Sequence, residues 1–293
     1  MARSDWRRPE LTPLEDGYKR VKLTVSYDGS AFNGWQCQSN GVGVQDVIND
    51  MLSRIYGCRI MVQGSGRTDS GVHALCQVCH YDVRIEASSI KDEKVAPALN
   101  ALLPLSIRVI RSESADGSFH ARFTTMAREY RYFVKARSKA LPFDHNYVAL
   151  YNRLPDLELL NSYACLLKGT HDFTTFASSR DESPSKKRDI YESYWSLVHD
   201  KFGNPLYCYT VTGNAFLYHQ VRSMVGTMMV MALKGESPES FRAVLDSCDR
   251  KLAKTTAPSA GLYLSRISYD EDEYRWFEDG KDGPCETSLA FHG

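Results

Sequence analysis

One stretch of the chain, residues 64–73, combines residue types that could do chemistry. It reads Gly-Ser-Gly-Arg-Thr-Asp-Ser-Gly-Val-His, so three glycines surround Arg67 and Asp69 within eight residues. Glycine permits tight backbone bends that present a side chain rather than bury it, so Asp69 is the residue of this stretch that we expect to have a function. The alternative is an ordinary structural turn in which Asp69 caps a backbone amide. Spacing leaves both readings open, because no metal-ligand, phosphate-loop or catalytic-triad pattern fits these residues.

A second pattern, Cys76-Gln77-Val78-Cys79-His80, has the C-x-x-C-H spacing of c-type haem attachment. It falls within an alternating strand pattern, there is no export signal, and haem also needs a pocket and usually a second axial ligand. Zinc is disfavoured as well, because no second Cys/His pair at tetrahedral-site spacing accompanies these residues. The pattern therefore carries no cofactor assignment.

The elements around residues 64–73 must hold Asp69 in an open position. Strand-like runs flank it at 58–63 and 75–81, so Asp69 is expected at a sheet edge or in a cleft. Alternation predicts a half-buried strand over 21–27, and apolar residues at helical spacing predict a helix from Val44 to Ile55, stopped by Gly57. Further helices are predicted at 89–103, at 157–168, from about 220 to Gly235 and after Ser237; further strands at 107–110, 129–135, 191–199 and 206–212; and a mobile basic loop at 178–189.

Composition places the chain among soluble globular proteins. Of its 293 residues, 43% are hydrophobic and 25% charged, and no run of about 18 apolar residues suggests a membrane segment. The start is unlike a signal or transit peptide, and the eight scattered cysteines suit reduced thiols, so a cytoplasmic protein is predicted. The zero net charge hides an asymmetry, because residues 270–293 carry −6 and the rest carries +6. This charge permits RNA binding but does not demonstrate it.

Residues 64–73 resemble the Gly-x-Gly-Arg-Thr-Asp-x-Gly-Val-His signature of the pseudouridine synthases of the TruA family. Other stretches resemble further family segments in the same order, over about residues 20–270: 26–36, 119–123 with 128–132, 171–173, 216–222 and 257–262. The chain departs from the family at a few positions, with Ser65 and Ser70 where alanine is common, Val44 where threonine is common and Gln220 where methionine is common. None of these departures removes a reactive group.

The resemblance implies a tRNA pseudouridine synthase, an isomerase acting on uridine in the anticodon arm of tRNA at family positions 38 to 40. The C1′–N1 bond breaks and the base rejoins through C5 without redox change, so no metal or organic cofactor is implied. The implied assembly is a homodimer whose tRNA spans both subunits. The sequence cannot distinguish nucleophilic addition to the base from attack at the ribose.

The same resemblance implies roles for individual residues, with Asp69 as the nucleophile. Desolvation in a cleft would push its carboxyl toward the neutral acid, so a cation is needed nearby, and Arg222 is implied in that role. Tyr130 resembles the family tyrosine that stacks on the target base and helps remove the C5 proton. Arg67 resembles the arginine that holds open the place vacated by a flipped uridine. Contacts with the tRNA backbone are implied for Phe119, His120, Arg122, Arg180, Lys186 and Lys187.

Each role has a structural alternative, and the whole chain has alternative functions. Arg222 would otherwise be a surface helix arginine, Tyr130 a packing residue on a strand, and Arg67 the partner of a local acid. A catalytically silent tRNA-binding or chaperone protein would tolerate loss of Asp69. A small-molecule nucleoside enzyme would need neither Arg67 nor the basic loop, and a haem protein would absorb visible light.

We predict an α+β fold of two RRM-like, ferredoxin-like halves, because the order strand, helix, strand, strand, helix, strand occurs twice at coarse resolution. The halves are expected to form one large mixed, mainly antiparallel sheet with helices on one side and Asp69 in a central cleft. The predicted divisions are an N-terminal extension at 1–17, a first half with the catalytic loop at 18–112, a second half at 113–269 and an acidic tail at 270–293.

Overall fold

The computed structural model describes residues 11, 13–36, 41–88 and 90–270. These residues form one ten-stranded sheet and five α-helices, in which most strand pairs are antiparallel and two are parallel. The predicted α+β class and the mixed, mainly antiparallel sheet are therefore confirmed. Most of the predicted N-terminal extension and the tail beyond residue 270 lie outside the described residues.

The first half of the fold has the strand order of a ferredoxin-like unit. Its elements are β1 (Tyr18–Tyr27), α1 (Val44–Tyr56), β2 (Gln63–Gly64), β3 (His73–Arg84), α2 (Asp92–Asn100) and β4 (Ile107–Ala115). The strands lie in the order β4-β1-β3-β2, with every neighbouring pair antiparallel. The first strand thus lies between the third and the fourth, which is the split arrangement of that fold. β4 continues past the predicted boundary at residue 112.

The second half repeats this order with additional short elements. It comprises β5 (Ala127–Ala136), β6 (Ala149–Tyr151), α3 (Leu157–Leu166), β7 (Gly169–Asp172), β8 (Lys187–His199), β9 (Pro205–Gly213), α4 (Gln220–Lys234), α5 (Pro238–Asp246) and β10 (Leu262–Ser268). Its long strands lie in the order β10-β5-β9-β8. Since β5, β8, β9 and β10 are the first to fourth long strands of this half, the order matches that of the first half.

A parallel strand pair joins the two halves. β10 pairs with β3 through Tyr263 opposite His73 and Leu264 opposite Ala74, and on its other side it pairs with β5. Because the loop that carries Asp69 ends where β3 begins, this seam places the loop between the halves.

The two faces of β1 show how the sheet separates core from cleft. The residues at every second position from Val21 to Tyr27 are buried, and they share one apolar cluster with the buried residues of α1 and α2. The intervening Lys22 and Thr24 point to the other face and line a cleft. The period of two in the sequence therefore produces one apolar face and one polar face.

The strand predicted at 58–63 is wrong for all but its last residue, because α1 side chains satisfy the backbone of this segment. The amide of Ile60 donates to Ser53 Oγ at 2.9 Å, and the amide of Val62 donates to Asn49 Oδ1 at 2.8 Å. These side-chain bonds replace the strand ladder that the sequence pattern predicts. Only β2 pairs with β3 here.

Two other predicted elements differ in extent. The helix predicted at 89–103 is α2, which begins at Asp92, ends at Asn100 and contains Pro97. The loop predicted at 178–189 is too long, because β8 already begins at Lys187. The helix stops at Gly57 and Gly235 are confirmed, since both glycines have positive φ angles.

The described ranges also show how long the helices are and whether the cysteines are paired. The longest helix, α4, has 15 residues, and no described helix is long and apolar enough to cross a membrane. The six cysteines in these ranges are all free thiols.

Candidate active site

The loop that carries Asp69 is fixed to the first half by buried contacts. The Thr68 hydroxyl lies 2.8 Å from the Tyr27 hydroxyl, and the amide of Trp35 donates to the Thr68 carbonyl at 3.2 Å. Gly34 makes this approach possible, because its φ is +83° and a Cβ would lie 2.3 Å from the Thr68 carbonyl oxygen. The loop is therefore held in one position beside the sheet.

The carboxylate of Asp69 faces the second half of the fold. Arg222 Nη1 donates to Asp69 Oδ2 at 2.9 Å, and His219 Nε2 lies 3.4 Å from the same oxygen. The Asp69 side chain is 18% exposed. No backbone amide of a described residue donates to this carboxylate, so the turn alternative, in which the acid caps an amide, does not describe the structure.

Arg222 is held in place by the segment that follows α5. Its Nε donates to the Ala257 carbonyl at 2.8 Å, and the Ala257 amide donates back to the Arg222 carbonyl at 3.0 Å. The side chain is only 15% exposed. Arg222 is therefore an anchored, mostly buried cation rather than a surface helix arginine.

Arg128, which we did not single out from the sequence, links the two halves at the site. Its guanidinium donates from Nη2 to the Ser65 carbonyl and from Nη1 to the Asn214 carbonyl, both at 2.8 Å. Ser65 belongs to the loop that carries Asp69, and Asn214 belongs to the connection between β9 and α4. Arg128 thus fixes the position of the loop relative to the helix that carries Arg222.

Tyr130 lies on β5 at the floor of the cleft. Its ring is 8% exposed and meets the Phe216 ring edge-to-face at 5.1 Å between centroids. Burial raises the pKa of Tyr130 to about 12, and the negative charge of Asp69 contributes a smaller rise. The neutral phenol makes no hydrogen bond to any described residue. Tyr130 therefore packs against Phe216 and also lines the cleft.

Arg67 lines the cleft from the loop that carries Asp69. It is exposed, and its guanidinium makes no hydrogen bond or ion pair with the residues that the structure describes. The local ion pair that was the alternative for this residue is therefore not formed within those ranges.

The six residues implied in backbone contact divide into two groups. Arg122, Arg180 and Lys187 are exposed and line the cleft. His120 also lines it, but its Nε2 lies 2.9 Å from Gln63 Oε1 and its Nδ1 accepts a backbone amide hydrogen bond. Its ring is therefore already hydrogen-bonded on both sides.

Phe119 and Lys186 are not among the cleft-lining residues. Phe119 packs against Tyr269 at 4.9 Å between ring centroids, under the ammonium group of Lys22. Lys186 donates to the carboxylate of Asp181 and to two carbonyl oxygens. Although burial opposes ionisation of Asp181, hydrogen bonds from Lys186, Tyr218 and Ser183 lower its pKa to about 2. Lys186 therefore stabilises the segment from Asp181 to Lys186 through hydrogen bonds within it.

The cleft itself has a volume of about 3300 Å³, with Asp69 in its lining. Small-molecule sites are typically about 300–1,000 Å³, so this space fits a macromolecule far better than a free nucleoside. Basic residues outnumber acidic ones in the lining, and they are Lys22, Arg67, Arg111, Arg122, Arg128, Arg180, Lys187, Arg188 and Arg222.

The residues of the C-x-x-C-H pattern do not converge on one site, because they lie on a β-strand. Cys76 and Cys79 are three residues apart on β3, so their side chains point to opposite faces of the sheet. His80 is 1% exposed, and its Nδ1 accepts a hydrogen bond from the Ala121 amide. Across the described ranges, no group of three His, Cys, Asp or Glu side chains is arranged to hold a metal ion.

Two halves of ferredoxin-like order, with a carboxylate and an arginine paired in the cleft between them, form a large and mainly basic site of the class that suits an anionic macromolecule. The family model described as tRNA pseudouridine synthase matches residues 23–124 and 164–270. These segments include every predicted site residue except Tyr130, which lies between them. The chain therefore belongs to the tRNA pseudouridine synthase family and is an isomerase.

Individual relatives are similar over nearly their whole length. The tRNA pseudouridine synthase A of Bacillus subtilis (strain 168) is 40% identical over 253 residues, which cover 86% of this chain and 99% of that protein. The protein of the same name from Beijerinckia indica is 37% identical over 254 residues, covering 86% and 95%. A solved Cbf5-Nop10-Gar1 complex matches at a TM-score of 0.35 and 13% identity, over 88% of this chain and 57% of that one. That similarity is too low to bear on the site.

Proposed function

We propose that this protein converts uridine to pseudouridine in the anticodon arm of tRNA, at positions 38 to 40, with Asp69 as the nucleophile. The observation that carries the proposal is the contact between Asp69 and Arg222 in a basic cleft of about 3300 Å³. The guanidinium of Arg222 holds the Asp69 carboxylate at 2.9 Å inside the cleft, where it is placed to act as a nucleophile.

The reaction needs no atom from outside the substrate. The C1′–N1 glycosidic bond breaks, the uracil turns while it is held in the site, and a C1′–C5 bond forms. The proton on C5 then leaves and N1 gains a proton, so the product is an isomer of the substrate. Asp69 assists by adding either to the base or to the ribose and is released at the end.

Two neighbouring residues serve the reacting base in this proposal. Tyr130, which lines the cleft, stacks against the flipped uracil and is the candidate to assist removal of the C5 proton. Arg67, exposed and free of protein partners among the described residues, occupies the place that the uridine leaves in the stem. Arg122, Arg180 and Lys187 contact phosphates along the cleft.

The proposed assembly is a cytoplasmic homodimer in which one tRNA contacts both subunits. Its substrate is the folded tRNA rather than a nucleoside, because the site is spread over both halves of a large cleft. Free uridine and UMP are therefore not expected to react.

The test is to incubate the wild-type protein with an unmodified tRNA transcript that carries uridines at positions 38, 39 and 40. Pseudouridine is then located by CMC treatment and primer extension. New stops are expected in the anticodon arm only, and each should vanish when cytidine replaces the uridine at that position. Retained tRNA binding without any stop would instead identify a silent tRNA-binding protein.

Removal of the acidic tail is expected to tighten tRNA binding severalfold at low salt. Asp270 lines the cleft, the family match ends at residue 270, and the sequence from Asp270 onward carries a net charge of −6. A chain that ends after Asp270 lacks residues 271–293, whose seven acids and two bases carry a net charge of −5. The measurement is filter binding across a salt series, in which the gain should shrink as salt screens the charges.

The matched control for that truncation keeps the tail at full length and replaces its acidic residues with the corresponding amides. It should bind tRNA as tightly as the truncated chain if charge is responsible. Affinity that is unchanged at every salt concentration would contradict the prediction.

A further inference from the structure

His219 is a residue of the site that the proposed reaction leaves without a role. It immediately precedes α4, three residues before Arg222, so the two side chains share one face of the helix start. Its Nε2 lies 3.4 Å from Asp69 Oδ2, and its ring lies against the Tyr218 ring at 4.0 Å between centroids. The side chain is 26% exposed.

The backbone of His219 is in a conformation that non-glycine residues adopt uncommonly. Its φ is 64° and its ψ is 3°, which is the left-handed region. Among the described non-glycine residues, only His219 and Cys248 have a positive φ. Glycine and asparagine enter this region more easily, and such conformations concentrate at functional sites. An imidazole kept at this position therefore points to a use for the side chain.

The two carboxylate oxygens of Asp69 have different surroundings. Arg222 Nη1 donates to Oδ2, and His219 Nε2 lies 3.4 Å from the same oxygen without forming a hydrogen bond. Oδ1 accepts no hydrogen bond from a described residue, whereas Oδ2 accepts one from Arg222. The carboxylate is thus held by one oxygen, and the other is left for the substrate.

The protonation state of His219 suits a hydrogen-bond donor rather than a second cation. Burial lowers the pKa of His219, the nearby charge of Asp69 opposes this, and the arginines Arg222, Arg250 and Arg180 lower it further. A neutral ring has one N–H group, which must sit on Nε2 to face Asp69. The 3.4 Å separation is longer than an N–H···O bond, and such contacts commonly tighten when the substrate binds.

We propose that His219 is a positioning residue which, with Arg222, holds Asp69 Oδ2 and thereby makes Oδ1 the attacking oxygen. This inference rests on the proposed function, in which Asp69 is the nucleophile. Arg222 supplies the charge, and His219 fixes the rotation of the carboxylate about its Cβ–Cγ bond. Without His219 the carboxylate keeps its contact with Arg222 but adopts several orientations, so the productive one is less populated.

The test compares His219→Asn with His219→Gln. Asparagine accepts the left-handed backbone, but its amide is too short to reach Asp69, whereas glutamine carries an N–H donor near the position of Nε2. Single-turnover rates on the tRNA transcript are measured together with tRNA affinity and melting temperature. We expect His219→Asn to react about tenfold more slowly or worse, with tRNA affinity within about twofold of wild type. His219→Gln should recover most of the rate.

Cys248→Asn is the matched control, because it makes the same change of backbone preference at the other left-handed position, which is exposed. It should leave the rate unchanged. A wild-type rate in His219→Asn would overturn the inference, as would a loss confined to tRNA affinity or a His219→Gln protein as slow as His219→Asn. A wild-type protein that forms no pseudouridine would refute the proposed function itself, and this inference would fall with it.

Discussion

The Asp69→Asn protein is expected to bind tRNA as the wild type does and to form pseudouridine roughly 10⁴-fold more slowly or worse. Asparagine keeps the shape of the side chain but removes the charge, and an amide oxygen is a poor nucleophile. Asp69 is mostly buried beside Arg222 and, apart from Arg222 and His219, makes no hydrogen bond or ion pair with a described side chain. Its loss should therefore affect the rate of isomerisation rather than the affinity for tRNA.

The measurement is single-turnover conversion followed by primer extension, with tRNA affinity measured on the same preparations. Glu182→Gln is the matched control, since Glu182 is an exposed carboxylate in the same cleft. It should react at about the wild-type rate. If Asp69→Asn also retained the wild-type rate, another acid would have to be the nucleophile.

Replacement of Arg222 with methionine is expected to lower the single-turnover rate about 10²- to 10³-fold. Methionine keeps much of the length and apolar stem but leaves the Asp69 carboxylate without its cation in a mostly buried position. It also leaves the Ala257 carbonyl without the Arg222 Nε donor, so a modest fall in melting temperature should accompany the loss of rate.

Arg222→Lys separates charge from geometry. A lysine ammonium group can reach one partner but cannot reproduce the guanidinium, which bonds to Ala257 and Asp69 together. We expect a rate between those of the methionine variant and the wild type. Lys234→Met removes the same charge from the exposed end of the same helix and should have little effect. A methionine variant of Arg222 with the wild-type rate would contradict the role of the ion pair.

The sequence predicts those parts of the fold that depend on local patterns. Alternation in β1 and helical spacing in α1 place both elements correctly, because the apolar residues that form the pattern are the ones that become buried. The same reasoning fails at 58–62, where Ser53 and Asn49 on α1 satisfy the backbone of the segment. A pattern within the segment cannot show that partners from a preceding helix replace a strand ladder.

The site depends on distances that spacing in the chain does not encode. Asp69 and Arg222 are separated by 153 positions yet are in direct contact, and only the resemblance to a family paired them in advance. Lys186 is a residue for which the sequence pattern is misleading. A basic loop predicts phosphate contacts, but Lys186 instead donates to the Asp181 carboxylate within the protein. The position of His219 three residues before Arg222 could have indicated that it lies near the site. The proposed role of its side chain depends on a backbone φ angle that the sequence does not reveal.

The pairing of β10 with β3 and β5 can form only late in the synthesis of the chain. β10 is the last strand of the described chain, and it is the one that pairs with both β3 and β5. During synthesis, a ribosome will have produced Asp69, Tyr130 and Arg222 long before this strand emerges. The backbone ladder that joins the halves can form only then, so an incomplete chain contains all three residues without the continuous sheet that places them in one site.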